Sequence, residues 1–247
     1  MRMYLFRRAV VLLFVLLAGS AQAEVNRFLD AGIPAASRPW SGADYERTFK
    51  VLSSGSVPLP QWADRPGRAV LMRMTSPDNF SLHRNRSLPF QVRMEDYLKL
   101  QQNANAVGKL YLAPAAKNNG STKEVAQFLA FSLYLSEVGV ELMDEFLPTI
   151  PKDDRYAARM NGVKQFYEGL TTVFVGAELA LAKDKGLAGD DRSEILRAMA
   201  QTLPRVKKTF SPEYRVELAR KLAKDKSEFA DPKDIQRLDA MLSDLKA

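Results

Sequence analysis

The chain has 247 residues with no cysteine, a single histidine, and 36 Lys and Arg against 29 Asp and Glu. The missing thiols exclude disulfide stabilisation, cysteine nucleophiles and zinc–thiolate sites, and one histidine excludes multi-histidine metal centres. No cofactor is expected from this composition.

Residues 1–23 have the three parts of a secretory signal peptide. Arg2, Arg7 and Arg8 precede the uninterrupted apolar run 9–18, and Ala21-Gln22-Ala23 supplies small residues for cleavage between Ala23 and Glu24. The run is too short to cross a bilayer, which takes about 20 apolar residues. The expectation is therefore an exported protein, periplasmic or extracellular, with no transmembrane span after cleavage. Without the leader the net charge falls from +7 to +4. Neither that charge nor the export address favours nucleic acid as a partner.

Residues 24–41 are expected to form an irregular lead-in, followed by one α-helical domain over 42–247. Ser41 caps a helix through about Ser53, with Tyr45, Phe49 and Leu52 at helical spacing. Three prolines and two glycines predict a loop over 54–67. A short helix over Arg68–Thr75 follows, and Ser76-Pro77-Asp78 has the pattern of a cap with proline at the first position. The next helix is predicted over Phe90–Leu112, broken by Pro114–Gly120. Ser121 and Glu124 have the spacing of a capping box.

Two long helices, at about 122–147 and 153–185, form the predicted centre of an all-α multi-helix bundle. Residues 125–135 and 170–182 are apolar nearly all round, which predicts burial on every side. Gly139, with Gly162, Gly169 and Gly176 at seven-residue spacing, predicts a flat seam for close helix packing. Three shorter helices are expected to begin near Asp190/Asp191, Ser211 and Asp231.

Four groups of residues carry possible chemistry. Glu137, Glu141, Asp144 and Glu145 share one helix face with Tyr134 one turn earlier. Such carboxylates can bind a hard cation or act as acid and base, or can simply pair with Arg155, Arg159 or Lys164 of the next helix. Met72, Met74, His83 and Met94 are a candidate thioether copper(I) set, with core filling as the alternative. His83 is also a candidate catalytic base, an exposed or capping histidine being the alternative. Lastly, Arg205, Lys207, Lys208, Arg215, Arg220 and Lys221 form a basic stretch, as do the arginines of 65–93. Either could meet an anionic envelope component or an acidic protein surface, or merely solvate a helix.

The functional expectation is a non-enzymatic exported protein that binds a partner through a groove or a basic face. The alternative is a hydrolase or metal-dependent enzyme using the Glu137/Glu141/Asp144/Glu145 face.

Overall fold

The computed structural model describes residues 27–35, 37–118, 121–182 and 187–246, so the predicted leader and the Ala23/Glu24 cleavage site lie outside the described residues. The protein is all-α. The helices are α1 (Gly42–Ser53), α2 (Arg65–Met74), α3 (Ser81–Arg84), α4 (Phe90–Asn118), α5 (Thr122–Phe146), α6 (Tyr156–Leu181), α7 (Gly189–Val206), α8 (Pro212–Asp225) and α9 (Pro232–Lys246). No strand occurs among the described residues.

The helix starts show how local sequence fixed the elements. The Ser41 side chain accepts the Asp44 N–H while the Asp44 carboxylate accepts the Ser41 N–H, which closes a capping box on α1. Ser211 caps α8 through the Tyr214 N–H. Asp64 caps α2, so that helix begins inside the predicted 54–67 loop with Pro66 and Gly67 in its first turn.

Two other predicted features do not form. Ser121 makes no side-chain cap on α5, and the Glu124 carboxylate, the other half of the predicted box, accepts the backbone N–H of Trp62 at 2.5 Å. α4 does not break at Pro114 but continues to Asn118. Proline lacks one backbone N–H and crowds the carbonyl one turn back, which can kink a helix without ending it. The predicted lead-in is also more ordered than expected: residues 27–30 are helical, and Phe28, Ile33 and Trp40 are buried in the core.

α5 is the spine of the molecule. From 121 to 143 it has no exposed residue, as its all-round apolarity predicts. Two large apolar cores lie on either side of it. The first gathers Phe28, Trp40, Tyr45, Leu71, Phe80, Leu100 and Val107 from the N-terminal elements around Phe128, Phe131 and Leu135 of α5. The second gathers Phe174, Leu196, Met199, Leu203, Leu222 and Leu238 from the C-terminal elements around Ala126, Ala130, Leu133 and Val140 of α5. Tyr134 and Phe166 pack against both.

The helix packed most extensively on α5 is α7, not the longer α6. α7 buries Ile195, Leu196, Met199, Leu203 and Val206. α6 is not buried on every side: Leu179 is 48% exposed and Thr172 is exposed. The reason is positional, since α6 lies along the outside of the bundle with much of its first half open to solvent.

The glycines divide in the same way. A Cβ on Gly139 would collide with the Tyr97 hydroxyl and lie 2.9 Å from Phe166 Cζ, so α5 requires glycine there. Gly162, Gly169 and Gly176 have no atom within 4 Å of a built Cβ, so the predicted seam on α6 has no helix packed into it. Gly169 and Gly176 instead line a mostly apolar groove of about 440 Å³ between α4 and α6, floored by α5.

Candidate functional site

The two cores meet along α5 but leave a cleft on one side, between α2–α3 and α7. α2 and α7 make no extensive contact with each other, so the gap stays open. One part of it, about 450 Å³, has Phe80, Phe131 and Tyr134 in its lining and Met72, 57% exposed, at its edge. Trp62 borders it too, with Lys123 Nζ 4.7 Å from the centre of its ring. Gln127, Glu194, Arg197 and Gln201 give this part a polar rim. A second part, about 690 Å³, is lined by charged side chains, and Arg84 belongs to both.

The acidic stripe of α5 runs through this cleft, and every member is paired. Arg84 of α3 reaches Glu141 through Nε at 2.9 Å and Glu137 at 3.9 Å. Arg205 of α7 reaches the same two residues from the other side, at 3.2 Å and 3.7 Å. Arg93 of α4 holds Glu145, and Lys208, just past α7, holds Asp144 at 2.5 Å. The expected partners on the next helix are not the ones used. Arg159 binds Asp153 and Lys164 lies near Glu168, because the first half of α6 turns its cations outward.

Burial raises the Glu137 carboxyl above the usual carboxylate range, and the neighbouring Glu141 charge adds to this while Arg84 and Arg205 oppose it. Burial likewise raises the Tyr134 phenol. Carboxylates bridged by guanidinium groups have their lone pairs occupied, which weakens them as ligands for a cation. Among the described residues no group of three or more His, Asp or Glu side chains is placed to hold a metal ion.

His83 is neither exposed nor a cap. Its side chain is fully buried, with Nε2 3.0 Å from Asp96 and the ring edge-on to Tyr97. Asp96 also accepts the Gly42 N–H at 2.9 Å, which ties the pair to the start of α1. With the proton on Nε2 facing Asp96, Nδ1 is a buried acceptor with no hydrogen-bond partner. No nucleophilic side chain bonds the ring, which gives the base reading no partner.

The methionine set separates. Met72 and Met74 lie two residues apart on α2 and so face opposite ways, Met72 toward the cleft and Met74 into the N-terminal core. Met94 packs both against the N-terminal core and against a third, smaller cluster with Met143 and Phe146, so it serves as core filling.

The basic stretch is largely neutralised within the chain. Arg205 and Lys208 serve the α5 stripe, Lys207 Nζ reaches the Asp244 carbonyl at 2.7 Å, Arg220 pairs with Glu217, and Lys221 with Glu178. Arg215 has its Nε buried without a partner. Arg205, Lys207, Lys208 and Lys221 thus tie one helix to another, whereas the Arg220 pair lies within α8.

The polar rim of α7 was not singled out from the sequence. Glu194, Arg197 and Gln201 fall at i, i+3 and i+7, a polar line on a helix whose other faces are mostly buried. That spacing was a legible signal of a solvent-lined wall. No family model, curated protein or solved structure matches this chain.

Proposed function

We propose that this chain is an exported, non-enzymatic binding protein that takes a segment of a partner protein in the cleft along α5. The observation that carries the reading is the cleft itself, with an aromatic floor at one end and a rim of both charge signs. Clefts that mix apolar anchors with a few placed polar groups suit ligands of the same mixed character. A peptide segment supplies apolar side chains for Phe80, Phe131 and Met72, and backbone groups for Gln127 and Gln201. The internal pairing of the basic stretch disfavours an anionic membrane surface as the ligand. The pairing of all four stripe carboxylates disfavours the alternative in which that face is a hydrolytic or metal site. Export rests on the N-terminal sequence pattern, and finding Glu24 as the first residue of envelope-fraction protein by mass spectrometry would support it.

Trp62 borders the cleft, whereas Trp40 is buried in the core, so indole fluorescence has one reporter at the site. Peptides selected from a random displayed library should shift this fluorescence in the parent and leave it unchanged in Trp62→Phe. Met72→Glu and Gln201→Arg should each weaken binding about tenfold or more, the equivalent of about 1.4 kcal/mol. Selected peptides that bind all these variants equally would sink the reading. Tight sedimentation with phosphatidylglycerol vesicles but not phosphatidylcholine vesicles would replace it with the anionic-surface alternative.

A further inference from the structure

We infer that the groove between α4 and α6 is a second binding site, for a single-chain amphiphile with an anionic head: a free medium-chain fatty carboxylate. The groove shares no lining residue with the cleft. α4 and α6 both pack on α5 but make no extensive contact with each other, which leaves part of α5 as its floor. Gly108 lies against Phe128 and Tyr97, three turns earlier, lies against Gly139, so α4 runs antiparallel to α5. α6 does the same, because Phe166 also lies at Gly139 and Gly169 and Gly176 continue along the groove. One end of the groove is therefore formed by Leu112, Val125 and Gly176, and the other by Asn105, Ser132 and Gly169. Between them each helix advances by two turns, or roughly 11 Å.

The size suits an alkyl chain better than a protein element. A helix of that length, about 10–12 Å across, would fill roughly 1,000 Å³. The groove offers about 440 Å³. Small molecules occupy sites of about 300–1,000 Å³ with largely apolar linings. Here Val125, Phe128, Leu129 and Val173 supply the apolar surface, and Leu112, 51% exposed, stands at the end away from Ser132. Covering such half-wetted side chains is favourable in proportion to the area removed from water. An extended carbon chain advances roughly 1.2 Å per bond, so the groove takes about ten carbons.

Charge decides the head group. Lys109 is the one ionisable residue in the lining, and among the described residues no carboxylate pairs with it. Helical side chains lean toward the N-terminus, which carries the lysine toward Asn105 and the Ser132 end. The Asn105 amide and the Ser132 hydroxyl bond no protein group among the described residues, whereas the Thr172 hydroxyl is already donated to the Glu168 carbonyl. A free cation and two free polar groups thus gather at one end, with apolar side chains at the other. A fatty carboxylate has the same layout.

Gly176 and Gly162 supply matched variants on α6. An added Cβ meets no atom within 4 Å at either position, so both accept leucine without a clash, and only Gly176 lines the groove. Isothermal titration with octanoate, decanoate and dodecanoate, each below its micellar concentration, should show one saturable site. Affinity should rise about two- to fourfold per methylene up to about ten carbons and then level off. Gly176→Leu should lose decanoate and Gly162→Leu should keep it, with circular dichroism showing both folded. Decyltrimethylammonium should bind about three- to tenfold more weakly than decanoate, and Lys109→Glu should reverse that order. Decanoate that fails to bind the parent, binds Gly176→Leu as tightly, or binds no better than decyltrimethylammonium would overturn the site. Dimerisation in the ultracentrifuge that Gly176→Leu abolishes would assign the groove to a second copy of the chain instead.

Discussion

A glycine in a helix means one thing where its missing Cβ makes room for a neighbour and another where nothing is near. Gly139 is of the first kind, because the Tyr97 hydroxyl and Phe166 ring occupy the space a methyl group would need. Gly139→Ala should lower stability by about 1–3 kcal/mol through overpacking. Gly162→Ala and Gly176→Ala, on α6, should each raise it by about 0.5–1 kcal/mol, because alanine fits the helix with less entropy lost. Urea midpoints of the three variants check the signs, and a destabilised Gly162→Ala would show that α6 has a partner at that face. The seven-residue spacing was visible in the sequence, but spacing reports which residues share a face and not whether anything lies against it. The same gap explains His83: its polar, basic flanks suggested exposure, whereas its burial depends on Asp96 and Tyr97, supplied by another helix.

At the scale of helices, most boundaries were legible because capping chemistry is local. Ser41 and Ser211 cap where their hydroxyls can reach the next turn, and proline-led starts at α8 and α9 follow the same rule. The failures were of another kind. Glu124 forsakes its own N-terminus for the Trp62 N–H, a choice made by a loop sixty-two positions earlier in the chain. α6 outranks α7 in length and local apolarity, yet α7 fills the larger part of the core. Leu196→Ala on α7 should therefore cost about 2–5 kcal/mol, as a buried leucine does when it leaves a cavity. Leu179→Ala on α6 should change stability by about 0.5 kcal/mol or less. Equal losses, measured by chemical denaturation, would contradict this ordering. The acidic stripe on α5 was equally plain in the sequence, but its partners came from α3, α4 and the end of α7, and no periodicity within one helix names a partner on another.

For the whole molecule, buried acids set the pH response. Burial raises Glu137, Asp191 and Asp225 above their ordinary values. A carboxyl that holds its proton more tightly folded than unfolded favours the folded state as pH falls, with the gain complete near the unfolded value of about 4. Burial pushes Asp44 the other way from its net shift, but hydrogen bonds from Arg38 and Ser41 leave it below its ordinary value. Its contribution is present above about pH 4 and is lost as pH drops through the folded value. The thermal midpoint should therefore rise from about pH 7.5 to about pH 5 and fall in stronger acid, with Glu137→Gln removing part of the rise. A midpoint that declines steadily from neutral pH would show that these burial effects are outweighed.

α5 contributes side chains to the aromatic interior on its N-terminal side and the aliphatic interior on its C-terminal side, and the two interiors meet at Tyr134 and Phe166. Heat or denaturant should accordingly melt the tryptophans, both in the N-terminal half, together with total helix content, even when the lesion is Leu222→Ala on the far side. The same sharing forbids modular inheritance. A fragment ending after α5 would carry Leu133 and Val140 bare to water, and a fragment beginning at α6 would lack the rod its own apolar residues close upon. Neither half can be borrowed, duplicated or trimmed away without the other, so truncation should yield insoluble material rather than a smaller working protein.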